Sequence, residues 1–155
     1  MTMLYGCALL IGIVAGLRAM TAPAAVSWAS ALGWLPVAGT PLAFLGATGT
    51  PWIFTVLALG ELVTDQLPKT PSRKVPIQFG GRLIGGALSG AAIGTAAGSI
   101  WIGAGLGVIG AIIGTLGGAE ARARLAGAFG RDWPAALIED AVAVGGASLI
   151  VFSLT

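Results

Sequence analysis

Glu61 and Asp65 stand four residues apart, and Glu139 and Asp140 are neighbours; both pairs are embedded in apolar sequence. Four-residue spacing puts two carboxylates one turn apart on one helix face. Arg82 opens a third apolar stretch and Arg18 closes the first. A charge held in a hydrocarbon core costs about 2.5 kcal/mol or more unless it is paired or hydrated. Carboxylates and arginines in such segments therefore predict either mutual pairing or a water-filled pocket. The functional expectation is a polar site, a proton or cation relay, built from Glu61, Asp65, Glu139 and Asp140 and closed by Arg82 and the basic loop 68–76; Arg18 is a separate candidate, for function or as a snorkelling side chain. The structural alternative is a network in which the carboxylates meet Arg82, Arg122 and Arg124. Asp132, just ahead of Pro134, fits a helix cap.

Other chemistries are narrowed by absence. The chain has no histidine and one cysteine, Cys7. That removes Ser–His and Cys–His mechanisms, the usual zinc sites and an internal disulfide. No strand pattern supports a dinucleotide fold, so the Gly-x-Gly matches carry no weight and no cofactor is expected. Pro71-Ser72-Arg73, following Glu61-x-x-x-Asp65, resembles in outline the membrane phosphatases that act on polyprenyl diphosphates. Those pair acidic helix residues with a Ser–Arg loop that grips phosphate, and the resemblance implies that Ser72 and Arg73 would meet the substrate. The alternative is a contact of Lys69, Arg73 and Lys74 with anionic lipid headgroups.

The elements that must position these residues read as membrane helices. Only 9% of the 155 residues are charged, and the mean hydropathy is +0.94; a soluble domain carries about 25% charge. The expected fold is all-α, a single polytopic transmembrane domain of about five spans with two short re-entrant or interfacial helices. Span one covers residues 3 to 17 or 20. It lacks a basic n-region and contains Arg18 where a cleavage site would fall, so it reads as a retained span and not a signal peptide. Residues 22–32, capped by Thr21, are too short to cross, and Trp28 and Trp34 suit an interface. An uncharged loop, 33–49, precedes span two at 50–67, which Pro68 stops. The loop 68–76 is basic and proline-stiffened.

Residues 81–118 are too long for one crossing and are expected to fold back between Gly98 and Gly105, giving spans three and four. A short polar helix, 119–129, follows; it carries Glu120 and Arg124 as an i,i+4 pair. Span five runs from Asp132 and Pro134 to about Leu154. Ala58-Leu-Gly-Glu61 matches Ala136-Leu-Ile-Glu139, although the two glutamates sit at different depths, as a true inverted repeat would not allow.

Glycine numbers 26, mostly inside apolar runs. Gly86, Gly90, Gly94 and Gly98 recur every four residues, as do Gly110, Gly114 and Gly118, with Gly103 and Gly107, and Gly12 and Gly16, as further pairs. Such spacing lines one helix face with small residues and lets backbones approach, in a glycine-zipper manner. Internal packing is the expected use, a homo-oligomer interface the alternative. Seven of the eight basic residues fall within 68–82 or 120–131. The positive-inside rule places those segments in the cytoplasm and, with five spans, the N-terminus with them; Arg18 is then the exception, at the far end of span one.

The runs Gly16-Leu-Arg-Ala-Met-Thr-Ala-Pro23, Leu67-Pro-Lys-Thr-Pro-Ser-Arg73 and Gly130-Arg-Asp-Trp-Pro134 with Glu139-Asp140 are similar to an uncharacterised family of small bacterial membrane proteins, known only as a domain of unknown function. The resemblance spans nearly the whole chain. It implies a bacterial inner-membrane protein, brings no activity, and directs attention to Arg18, Ser72, Arg73, Glu139 and Asp140. The function expected from the residues is a small transporter or channel-like protein for a small polar or ionic solute, with the lipid bilayer as its other partner and no nucleic acid. The alternatives are a structural or assembly subunit packed by its glycines, and a lipid-phosphate hydrolase.

Overall fold

The computed structural model describes residues 1–67 and 75–155; the expectations placed on Ser72, Arg73, Lys69 and Lys74 lie outside the described residues. Among the described residues all regular structure is helical. The α-helices are α1 (Thr2–Leu17), α2 (Thr21–Ala31), α3 (Thr50–Thr64), α4 (Pro76–Ala97), α5 (Ile100–Phe129) and α6 (Trp133–Phe152), with a single 3-10 turn at Ala43–Gly46.

Helix boundaries follow local chemistry. Prolines sit in the first turns of α3, α4 and α6, where the missing N–H loses no intrahelical bond. The chain folds back after α4 at Gly98, which adopts φ 93°. Ser99 then donates its N–H to the Gly94 carbonyl at 3.0 Å, and its hydroxyl accepts from the Ile102 N–H at 3.3 Å. One left-handed glycine and one capping serine thus make the whole α4–α5 turn, within the interval expected for it.

α1, α4 and α5 form the most intimate packing in the molecule. Gly90 explains how close they come. A Cβ there would fall inside contact distance of the Gly103 carbonyl and lie 2.8 Å from the Gly107 Cα. Where α1 meets α5, a Cβ on Gly16 would stand 2.5 Å from the Ala111 carbonyl O. Backbone meets backbone at these points, and dispersion between them supplies attraction without large side chains.

α1 and α4 run antiparallel, each alongside α5. Tyr5, early in α1, donates its hydroxyl to the Ala97 carbonyl at the end of α4 at 3.1 Å. At the opposite end Arg82, early in α4, reaches the last carbonyls of α1. α2 and α3 are an antiparallel pair beside this trio, with Trp28 of α2 edge-on to Trp52 of α3 at 5.0 Å. The segment between them is packed and not a loose loop. Leu35, Val37, Leu42 and Leu45 are buried, Ser27 donates to the Leu45 carbonyl at 2.6 Å, and Trp34 contacts Phe152.

Three expectations are corrected. The short polar helix at 119–129 is not separate: it is the last third of the 30-residue α5. Its Ala, Glu, Arg and Leu are strong helix formers, so the helix continues where its apolar part ends. Asp132 is at the N-cap position of α6 but makes no side-chain cap bond; its carboxylate turns to Arg122. Five spans were expected, yet only α5 and α6, among the described residues, are long and apolar enough to cross a membrane. α1 and α3 have 16 and 15 residues, about 24 and 22 Å at 1.5 Å per residue.

Candidate charged site

The break between α1 and α2 organises the site. Leu17 ends α1, and Arg18 takes an extended backbone, φ −140° and ψ 111°, so the chain turns away from the α1 axis and α2 begins three residues later. The break leaves carbonyls of α1 and N–H groups of α2 without helical partners. Each set is satisfied from another helix. Arg82 Nη1 donates to the Gly16 and Leu17 carbonyls, at 2.7 Å to each; a cation at a helix C-terminus also suits the helix dipole. The Glu61 carboxylate accepts from the Ala19 and Met20 N–H groups, at 2.8 and 2.9 Å. Glu61 of α3 thus caps α2, the role expected of Thr21. Thr21 lies within the helix and Met20 at the cap position has no side-chain oxygen, so the cap comes from a neighbouring helix.

Arg18 is the centre of the cluster. Its side chain is 0% exposed and bridges Asp65 of α3, through Nη1, and Asp140 of α6, through Nη2. Asp140 accepts further from Gln66 Nε2 at 3.1 Å. Arg82, 2% exposed, completes the ring with Nη2 at 3.7 Å from both Glu61 and Asp65. Thr115 of α5, wholly buried, donates to the Gly16 carbonyl at 3.3 Å. Arg122 sits at the rim: it bonds Asp132 at 2.6 Å, Glu139 at 3.4 Å and the Asp65 carbonyl at 3.2 Å.

The structure therefore brings together Arg18, Glu61, Asp65, Arg82 and Asp140 directly, and joins Glu139 to them through Arg122. Glu139 and Asp140, adjacent in sequence, face different arginines. Arg124 is not part of the network; it pairs with Glu120 at 2.8 Å on the exposed end of α5. The position expected for Arg18 is corrected. It lies at the same end of the bundle as Arg82 and Arg122, opposite the Tyr5–Ala97 contact, because the α2–α3 pair adds a return that the five-span count lacked. Gln66 and Thr115 were not foreseen as site residues, and Arg122 was expected only in the structural alternative. Gln66 could have been noticed beside Asp65, whereas nothing local to Thr115 signals its contact 99 residues away.

Chemically, the arrangement is a set of opposed charges with every acidic side chain of the central cluster directed at guanidinium, amide or backbone N–H donors. Among the described residues no group of three or more acidic or thiol ligands is placed to hold a metal ion. Beside the cluster, α2, α3 and α6 enclose an apolar groove of about 190 Å³ lined by Thr21, Trp28, Ala58, Leu62, Ala147 and Ser148 among others. Its near end adjoins the capped α2 N-terminus, since Thr21 follows Met20 and Leu62 follows Glu61. No family model, curated protein or solved structure matches this chain.

Proposed function

We propose that the chain is a multi-pass membrane protein that passes a small polar or ionic solute, with the Arg18 cluster as a gate at one mouth. The observation that carries this reading is the Arg18 guanidinium, wholly buried and shared between carboxylates on α3 and α6. The trio α1, α4 and α5 is already held by backbone contact and does not need these charges. They tie the trio to α6, which packs on it less closely, and to α3, whose packing is with α2. A rigid unit joined to a second unit by ion pairs at one end suits transport by rocking of one unit against the other.

A membrane setting for the whole bundle rests on how the helices lie. α1 and α4 flank α5 between the Tyr5–Ala97 contact and the Arg82–Gly16 bond, so a bilayer crossed by α5 is crossed by them as well. Large apolar side chains face outward, among them Ile84 at 71% and Leu149 at 73% exposed. Hydrocarbon accounts for such a surface better than water does. Arg18, Arg82 and Arg122 all lie at one end, and the positive-inside rule puts that end in the cytoplasm of a bacterial inner membrane. Tyr5 and Ser153 then lie toward the other face, which reverses the side expected for the N-terminus from five spans and leaves the C-terminal end on the side expected for it.

The test is flux of protons and alkali cations in proteoliposomes, read with an entrapped indicator. Asp65→Asn and Asp140→Asn are expected to change the rate by loosening the gate, and Glu61→Gln with Glu139→Gln to abolish coupling to solute. Flux indifferent to all four substitutions refutes the reading. A second reading, a structural lock, is favoured by the partners already present on both Nη atoms of Arg18 and both oxygens of Glu61. It predicts that Glu139→Gln lowers stability while no solute binds, and that a defined partner protein co-purifies.

A further inference from the structure

Two N–H groups converging on one carboxylate at a helix start form an anion site, and here the anion is Glu61, supplied by the protein itself. A second feature at the same place has no use in the structure. Thr21, 7% exposed, opens α2 and lines the end of the apolar groove next to this cap, and its hydroxyl makes no hydrogen bond. A buried hydroxyl without a partner is unfavourable, and a bonding group from outside the chain would relieve it. Arg82 Nη2, 3.7 Å from the Glu61 carboxylate, adds positive potential to the same point. From there the groove continues between α2, α3 and α6 past Ala58, Trp28 and Ala147, with almost wholly apolar walls.

We propose that the α2 N-terminus is the head site for an anionic amphiphile, occupied by the Glu61 carboxylate as a tethered stand-in until a ligand displaces it. The ligand combines an oxyanion head, a phosphate monoester or carboxylate, with a single apolar tail. The head takes the Ala19 and Met20 N–H groups and the Thr21 hydroxyl; the tail lies in the groove. An oxyanion suits the site because the donors there are all N–H or O–H, and an apolar tail suits the groove because its walls offer dispersion and hardly any polar contact. This goes beyond ion passage: it gives the site next to the gate a lipid-like substrate or regulator. It stands or falls by binding alone, whatever the flux measurements return.

The test uses the full chain in phosphatidylcholine nanodiscs, titrated with a bromoalkyl phosphate monoester while Trp28 fluorescence is followed, since bromine in the groove quenches Trp28. Glu61→Gln removes the competing charge and is expected to tighten binding about tenfold. Thr21→Val, which keeps the shape of the side chain, is expected to weaken binding severalfold with the helical circular dichroism unchanged. Trp28→Phe is expected to lose most of the quenching. Inorganic phosphate alone and the bromoalkyl alcohol alone separate head from tail, and each is expected to bind far more weakly than the joined molecule. If the alcohol binds as well as the phosphate monoester, or if Glu61→Gln and Thr21→Val both leave affinity unchanged, the proposal is wrong. Should Glu61→Gln fail to fold, the Thr21→Val and alcohol comparisons decide alone.

Discussion

Replacing Arg18 by methionine tests whether the charged cluster holds the helices as the geometry implies. The substitution keeps length and apolar bulk and removes the guanidinium. Asp140 is left with Gln66 Nε2 at 3.1 Å, and Asp65 with Arg82 Nη2 at 3.7 Å, too long for a hydrogen bond. Removing one member of a buried ion pair costs about 3–5 kcal/mol, because the remaining charge stays buried without compensation. Asp65 and Asp140 retain 11% and 13% side-chain exposure; water therefore relieves part of the penalty, and the lower end, about 3 kcal/mol, is expected. The triple variant Arg18→Met, Asp65→Asn, Asp140→Asn removes the uncompensated charges together and is expected to recover to within about 1 kcal/mol of the parent. Arg18→Lys keeps the charge but cannot reach both carboxylates with one planar group, and an intermediate loss of about 1.5 kcal/mol follows from a single missing charged hydrogen bond. Unfolding in mixed micelles by titrated denaturing detergent, followed by tryptophan fluorescence, gives the differences. A single variant as stable as the parent, or a triple variant no better than the single one, would refute the reasoning.

Gly90→Leu is expected to lose more than about 3 kcal/mol or fail to assemble, since its side chain would displace α5 backbone, whereas Gly105→Leu has open space and is expected to stay within about 1 kcal/mol. Yield of monodisperse protein and the same detergent titration compare them. Ser99→Ala removes the cap of α5 and is expected to cost about 1 kcal/mol. Arg124→Ala breaks an exposed i,i+4 pair at the end of α5 and is expected to change stability by less than about 0.5 kcal/mol. If Arg124→Ala proved as damaging as Arg18→Met, burial would not be what sets the strength of these pairs.

The helical fold was legible because its signals are local. Pro51 and Pro134 mark helix starts, and Gly98 opens the interval in which the α4–α5 turn falls, each through the backbone geometry it imposes; Pro76, read as part of the stiff loop 68–76, instead begins α4. The convergence of Glu61, Asp65, Arg82 and Asp140 was legible too, because an apolar sequence leaves few places for charge. What escaped was relational. The fate of Arg18 depended on how many times the chain returns between Met20 and Thr50, a segment whose burial comes from Leu35, Val37, Leu42 and Leu45 docking on other helices. Such docking leaves no periodicity to read. Asp132 looked like a cap because capping is a local rule, and it was overruled by Arg122 ten residues earlier. The continuity of α5 escaped because a change from apolar to polar composition marks a change of surroundings and not the end of a helix.

Arg82 connects the two ways this molecule is held. It belongs to α4, whose glycines bring it against α5, yet its guanidinium reaches across to the last carbonyls of α1 and stands 3.7 Å from Glu61 and Asp65 of α3. Contacts between glycine backbones fall away within a fraction of an ångström of separation and so permit little movement between α1, α4 and α5. Ion pairs between long side chains can part and re-form over larger distances. A motion that separates α3 and α6 from the trio would therefore begin at Arg18 and Arg82, with the glycine contacts intact behind them. The α1–α2 break lies at that same level, since residues 18–20 belong to neither helix. The helix break, the charges and the Glu61-capped α2 N-terminus thus meet within one layer of the bundle, and for this reason the proposed gate and the proposed head site are expected to respond to each other: a ligand that displaces Glu61 also removes one of the two carboxylates facing Arg82.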